Sequence, residues 1–259
     1  MLLSDRPDPV ADRTGIDFLA VAGLVRAFGG VRAVDGVDLT LGAGELLSII
    51  GPNGCGKTTL FNLLTGQLAP TAGRIRFEGR DIAGLPPHRV AEAGIVRKFQ
   101  VPSVFPALSV AENLRTALAA PAARRGARLL DSDALLRLVD LQAAADTAAG
   151  ELAHGAKQWL ELAMVVAAGP RLLLLDEPTA GMTRAESEAT VRLIRRLRDE
   201  TGTAAIVIEH DMAVVETLSA PVAVMIAGRI VAHGDYAAVR ADPAVRAAYF
   251  GKAGAASNG

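Results

Sequence analysis

A chain of 259 residues that is 51% hydrophobic and 21% charged can bury one substantial core, which excludes disorder as an overall description. The formal net charge of −1 lacks the basic excess of a dedicated nucleic-acid binder, so no nucleic-acid partner is expected. Cys55 is the only cysteine; no intrachain disulfide can form, and a reducing compartment is expected.

Residues 1–14, with Asp5, Pro7, Asp8, Pro9 and Asp12, lack the apolar run of a secretory signal and read as a flexible leader. No stretch reaches the roughly 18 to 20 consecutive apolar residues of a membrane-spanning helix, so another chain is expected to do any spanning. Phe18 to Leu24, the alternation Val37, Leu39, Leu41 and the apolar run Leu46 to Ile50 predict short strands. Lys57 to Thr65 predicts a helix whose Leu60, Phe61, Leu63 and Leu64 pack on a sheet, ended by Gly66. Ile95 to Phe99 predicts a further strand. The Ala- and Leu-rich stretch from Ser109 to Gly169 predicts a helical lobe, opened by Ser109 as N-cap with Glu112 at the capping-box position, and its end carries an apolar helix, Trp159 to Ala168. Leu172 to Asp176 and Ala204 to Glu209 predict strands flanking a helix from about Arg184 to Asp199, striped by Val191, Ile194 and Leu197. A helix from Met212, a hairpin over Pro221 to His233 turning at Ala227-Gly228, and short helical pieces follow.

Two motifs carry chemistry. Gly51-Pro52-Asn53-Gly54-Cys55-Gly56-Lys57-Thr58 matches the phosphate-loop pattern and stands between a predicted strand and a predicted helix, as the motif requires. Its glycines let backbone N–H groups and the helix N-terminus face phosphates, Lys57 adds a point charge, Thr58 can ligate magnesium, and Thr59 follows in the same turn. Leu172 to Leu175 then lead into Asp176 and Glu177, an acidic pair at a strand end where a carboxylate holds magnesium and its water, and where Glu177 can polarise an attacking water. Together the motifs predict a nucleoside triphosphatase.

Around these motifs the chain, from about Ile16 to Phe250, resembles the ABC ATPase family. The resemblance implies an α/β P-loop NTPase (RecA-like) core with an N-terminal antiparallel β subdomain and an inserted α-helical subdomain. Residues 15–259 are then a single ABC ATPase domain, with the core at about 15–100 and 170–250 and the helical subdomain at about 101–169. The family's adenine-stacking aromatic falls on Phe28, its Q-loop glutamine on Gln100 and its switch histidine on His210. The resemblance assigns catalytic roles to Glu177, His210, Gln100 and Lys57, a magnesium site to Thr58, Gln100 and Asp176, and ATP with magnesium as cofactors.

Leu152-Ala153-His154-Gly155-Ala156-Lys157-Gln158 occupies the place of the family's Leu-Ser-Gly-Gly-Gln signature, which covers the γ-phosphate held by a facing subunit. Ala153 lacks the usual serine hydroxyl and Ala156 the terminal glutamine, although Gly155 and the helix N-terminus can still offer backbone donors, and Ala153, His154 and Gly155 are expected to contact nucleotide. Ala180-Gly181-Met182-Thr183 stands where many members have Ser-Ala-Leu-Asp, so Thr183 replaces the D-loop aspartate.

Phe28-Gly29-Gly30, Arg97-Lys98-Phe99-Gln100, Ala180-Gly181-Met182 and Glu209-His210-Asp211-Met212 are similar to the subgroup that energises uptake of branched-chain amino acids and of urea or short amides. Arg97-Lys98-Phe99-Gln100, His154-Gly155 followed by Lys157-Gln158-Trp159, and Ala180-Gly181-Met182-Thr183 favour the urea type. A branched-chain amino acid importer is the alternative, and a soluble ABC-type ATPase or nucleotide sensor is a further one. The implied partners are integral-membrane permease subunits, a second ATPase subunit in a homo- or heterodimer and, indirectly, a solute-binding protein. The expected location is the cytoplasmic face of the inner membrane, with residues 101–114 in the groove that receives a permease helix.

Overall fold

The computed structural model describes residues 18–98, 104–119 and 130–249. Residues 1–14, expected to form a leader, and Phe99 and Gln100 lie outside the described residues. In chain order the elements begin with β1 (Leu19–Phe28), β2 (Val31–Leu41), β3 (Leu46–Ile50), α1 (Lys57–Leu64), β4 (Ala72–Phe77), β5 (Arg80–Asp81), α2 (Pro87–Ala93) and β6 (Ile95–Lys98). Then come α3 (Val110–Ala119), α4 (Ser132–Leu138), α5 (His154–Ala167), β7 (Leu172–Asp176), α6 (Arg184–Thr201) and β8 (Ala204–Ile208). The last are α7 (Met212–Leu218), β9 (Val222–Ile226), β10 (Arg229–Gly234), α8 (Tyr236–Ala241) and α9 (Pro243–Tyr249).

The strands form two sheets. One is antiparallel in the order β2-β1-β4-β5; the other runs β10-β9-β3-β8-β7-β6 and is parallel except for β10, which pairs antiparallel with β9. Every residue of β3, β7 and β8 is buried, because a parallel sheet has both faces covered and its strands are apolar without alternation. One face packs against α1 and the antiparallel sheet through Leu60, Phe61, Leu174, Ile206 and Ile75. The other packs against the helical segment and α6 through Leu114, Leu160, Leu173, Val207 and Ile194. The α/β class expected from the sequence is present, with an antiparallel sheet and a helical segment packed on opposite sides of the mainly parallel sheet.

Local chemistry explains the punctuation. Ser109 N–H donates to Glu112 Oε2 while Glu112 N–H donates to Ser109 Oγ, the reciprocal pair that opens a helix. Ala227 and Gly228, at φ 46° and 82°, give the two left-handed residues a tight hairpin needs. Three expectations require correction. The helix expected from Trp159 begins at His154, so the signature residues form its first turn; Ala153 takes the N-cap position without a side-chain cap. The second strand starts at Val31 rather than Val37. The stretch Ala72 to Ala93 holds β4, β5 and α2, for which no element was expected; β4 turns only Ile75 and Phe77 inward, too little apolar alternation to announce a strand.

Candidate nucleotide-binding site

The phosphate loop connects β3 to α1 at the end of the central parallel strands. Two of its glycines are required by crowding: a Cβ on Gly51 would lie 2.2 Å from the Met225 carbonyl oxygen, and one on Gly56, at φ 109°, 2.1 Å from that of Ala33. Pro52, Asn53 and Gly54 are exposed, whereas Cys55 is buried in the core cluster beneath the loop. The back of the loop is braced by the β9–β10 hairpin, where Gly228 N–H donates to the Cys55 carbonyl at 2.9 Å and Asp35 N–H to the Gly228 carbonyl at 2.9 Å. The Lys57 ammonium, 8% exposed, folds back to donate to the carbonyls of Gly51 at 2.6 Å and Pro52 at 3.1 Å. A cation is thus fixed at the mouth of a loop whose helix N-terminus points outward, which suits phosphate.

Thr58 is exposed and Thr59 half-buried in the first turn of α1, and Asp176 closes β7. Among the described residues no group of three or more His, Cys, Asp or Glu gathers. Magnesium in a nucleotide site takes one or two protein oxygens and completes its shell with phosphates and water, and a hydroxyl at Thr58 with a carboxylate at Asp176 fit that requirement. Asp176 is not alone. Its Oδ2 accepts from Arg97 at 2.6 Å, both side chains nearly fully buried, and the same guanidinium donates to Asn62 Oδ1 at 2.6 Å.

Glu177 follows at φ 49°, a left-handed conformation rare for a non-glycine residue and common at functional sites. Its N–H donates to the Ile208 carbonyl, and its carboxylate lies 3.6 Å from His210 Nδ1. The fold therefore brings together two sequence-expected residues that follow the ends of neighbouring strands, β7 and β8. Behind them Glu209, 1% exposed, accepts from both the N–H and the hydroxyl of Thr179 and from the His210 N–H. Burial pushes its carboxyl above the usual range, with the Thr179 hydrogen bonds pulling the other way.

The signature residues do not meet this site within the chain. Ala153 and His154 are exposed, and Gly155 is buried against Glu186, whose Oε1 would lie 2.7 Å from an added Cβ. Thr183 caps α6 in a full capping box with Glu186, so the residue that replaces the D-loop aspartate keeps the N-cap role that an aspartate also fills. Phe28 is 46% exposed at the end of β1, with the Arg26 guanidinium 4.6 Å from its ring centroid. Gln100 lies outside the described residues.

Three interactions were not legible in the sequence: the pairing of Arg97 with Asp176 and Asn62, the clasp of Glu209 on Thr179, and Lys98 with Glu161, an ion pair at 3.3 Å with side chains 11% and 6% exposed. The available signal was charge inside apolar segments: such residues are rarely buried without partners.

The family model for ABC transporters matches residues 34–180, more than half of the chain, and one described as the branched-chain amino acid ATP-binding cassette transporter matches residues 229–255. BraF of Pseudomonas aeruginosa, a high-affinity branched-chain amino acid transport ATP-binding protein, is 40% identical over 250 residues, 91% of this chain and 98% of that protein. LivG of Escherichia coli, described in the same words, is 38% identical with the same coverage. Among solved structures, the ADP conformation of MJ1267, an ATP-binding cassette of an ABC transporter, shares 30% identity and a TM-score of 0.80, covering 92% of this chain and 100% of that one. By this measure the chain belongs to the ABC transporter family as one of its ATP-binding, ATP-hydrolysing subunits, on the branched-chain amino acid side of that family.

Proposed function

We propose that this chain is the ATPase subunit of an importer that carries branched-chain amino acids, working at the cytoplasmic face of the membrane beneath separate permease subunits fed by a solute-binding protein. No helix among the described residues is long and apolar enough to cross a membrane. ATP binds between Lys57 of one subunit and Gly155 of a facing copy or related subunit, which closes the pair. Lys57 and the loop N–H groups hold the phosphates, Thr58 and Asp176 hold magnesium, and Phe28 stacks on adenine. When bound, magnesium supplies charge neutralisation to the transferred phosphoryl group. Glu177 orients and polarises the attacking water, His210 contacts the γ-phosphate, and Gln100 links the site to the permease. The helical segment, about 101–169, acts as the lobe that transmits closure.

The observation that carries the catalytic reading is the meeting of Glu177 and His210 at 3.6 Å. Its test is Mg-ATP turnover by the purified chain, alone and with candidate partner subunits, using Lys57→Ala and Glu177→Gln. Loss of turnover in both, with an ATP-trapped dimer in Glu177→Gln, is expected; normal turnover in Glu177→Gln refutes its assignment. The cargo reading rests on the names of BraF and LivG, and uptake of labelled leucine by cells lacking this chain is expected to fall.

One observation favours urea or short amides as a second reading. Two of the segments that resemble the urea type touch each other. Gln158 Nε2 lies 2.9 Å from His154 Nε2 and 3.5 Å from the Ala180 carbonyl, while Trp159 Nε1 donates to Thr190 Oγ1, which reaches Met182 Sδ. These departures from the usual signature and D-loop form one packed unit rather than scattered substitutions. Uptake of labelled urea in the same cells separates the two readings.

A further inference from the structure

Asp176 and Arg97 form a pair that the phosphoryl-transfer roles leave unused. β6 is the edge strand of the parallel sheet and pairs with β7 in the register Arg97↔Leu174 and Lys98↔Leu175. From there the Arg97 side chain reaches past its neighbour to the strand end, where one nitrogen donates to Asp176 Oδ2 and the other to Asn62 Oδ1, both at 2.6 Å. Its guanidinium carbon also lies 5.5 Å from the Phe61 ring centroid. Side-chain exposures of 8% for Arg97 and 4% for Asp176 place the charges where solvent screens little. The fork is held by α1, the helix that begins in the phosphate loop, and by β7, the strand that ends at the carboxylate. Asp176 Oδ1 has no donor among the described residues.

We propose that Arg97 is a built-in counter-cation for Asp176, a positioning residue that makes divalent-ion binding at this carboxylate contingent on the phosphates of a nucleotide. The inference rests on the reading of Asp176 as the magnesium-holding carboxylate. A dication and a guanidinium sharing one buried carboxylate repel each other, and a single carboxylate already neutralised by arginine offers a free divalent ion no net charge. Nucleotide phosphates add several negative charges beside it and tip that balance. Lysine at this position keeps the charge, whereas glutamine keeps a hydrogen-bond donor and loses it.

The test is binding of Mn2+ alone to the purified full chain, read from the electron paramagnetic resonance signal of the free ion. Arg97→Gln is expected to bind Mn2+ without nucleotide roughly tenfold or more tightly than the parent, Arg97→Lys to behave like the parent, and Arg97→Gln with Asp176→Asn to lose the gain. Asn62→Leu, which frees one arm of the fork and keeps the charge pair in place, is expected to give a smaller gain and serves if Arg97→Gln does not fold. Equal Mn2+ affinity in parent, Arg97→Gln and Asn62→Leu overturns the inference. Binding of Mn2+ with ATP to Asp176→Asn is the separate control: retained affinity there refutes Asp176 as the ion's carboxylate, and the inference falls with it.

Discussion

Glu209 accepts two hydrogen bonds from Thr179 through one carboxylate oxygen, the N–H at 3.2 Å and the hydroxyl at 2.7 Å, and so clasps the segment after Glu177 to the strand that presents His210. Burial raises its carboxyl above the ordinary value of 4.5. A raised folded-state value means that the native protein binds the proton more tightly than the unfolded chain does. The stabilisation is then fully present below about pH 4.5 and is lost as pH rises through the folded value. Glu209→Gln removes this titration. Thermal melts from pH 4 to 7 should show the variant gaining on the parent as pH rises, and parallel curves would sink the assignment. Asp35, Glu112 and Glu186 are lowered by their hydrogen bonds and act in the opposite direction, but they are common to both proteins and cancel in the difference.

Lys98 and Glu161 join β6 to the helix that carries the signature residues. Removing one partner of a buried ion pair costs about 3 to 5 kcal/mol, whereas replacing both with apolar residues is close to neutral. Lys98→Met should therefore lower the denaturation midpoint strongly, and Lys98→Met with Glu161→Met should recover most of the loss. Additive losses in the double variant would show that the pair is not the relevant interaction.

Asn113 is fully buried at the start of the helical segment. Its amide nitrogen donates to the carbonyls of Phe105, Leu108 and Ser109, and its oxygen accepts from the Phe105 N–H. Asn113→Ala removes these donations, although each carbonyl keeps one backbone donor, and leaves the Phe105 N–H without its acceptor, at about 1 kcal/mol per hydrogen bond lost. Hydrogen exchange confined to residues 104–109 is expected to accelerate; unchanged protection there would refute the role.

Ala153 caps α5 without a side-chain acceptor. Ala153→Ser supplies one, worth about 1 kcal/mol, and restores the hydroxyl of the usual signature. Two gains are expected: a higher melting temperature of the isolated chain and tighter ATP-driven dimerisation. A gain in melting temperature with unchanged dimerisation would confine the serine to capping.

The phosphate loop and the Asp176-Glu177 pair were legible because their residues stand together in the chain: closely spaced glycines, a lysine at the helix start, carboxylates at a strand end. The α/β order was legible because β3, β7 and β8 are continuous apolar runs. Arg97 and Glu209 were not, since their roles come from Asp176 and Thr179, residues distant in sequence that only sheet register brings near. His210 was placed by likeness, and its approach to Glu177 required β7 and β8 to be neighbours. The start of α5 was missed because Ala153, His154 and Gly155 carry none of the usual helix-opening residues.

The hairpin behind the phosphate loop sets an order of events during synthesis. Gly51 and Gly56 pack against Met225, and Cys55 takes its hydrogen bond from Gly228, residues that leave the ribosome long after the loop itself. Local helices form early, but pairing between distant segments waits for the later one to exist. A nascent chain ending before β9 therefore carries the whole nucleotide motif in its sequence while lacking the wall that shapes it. Full bracing of the phosphate loop waits for β9 and β10.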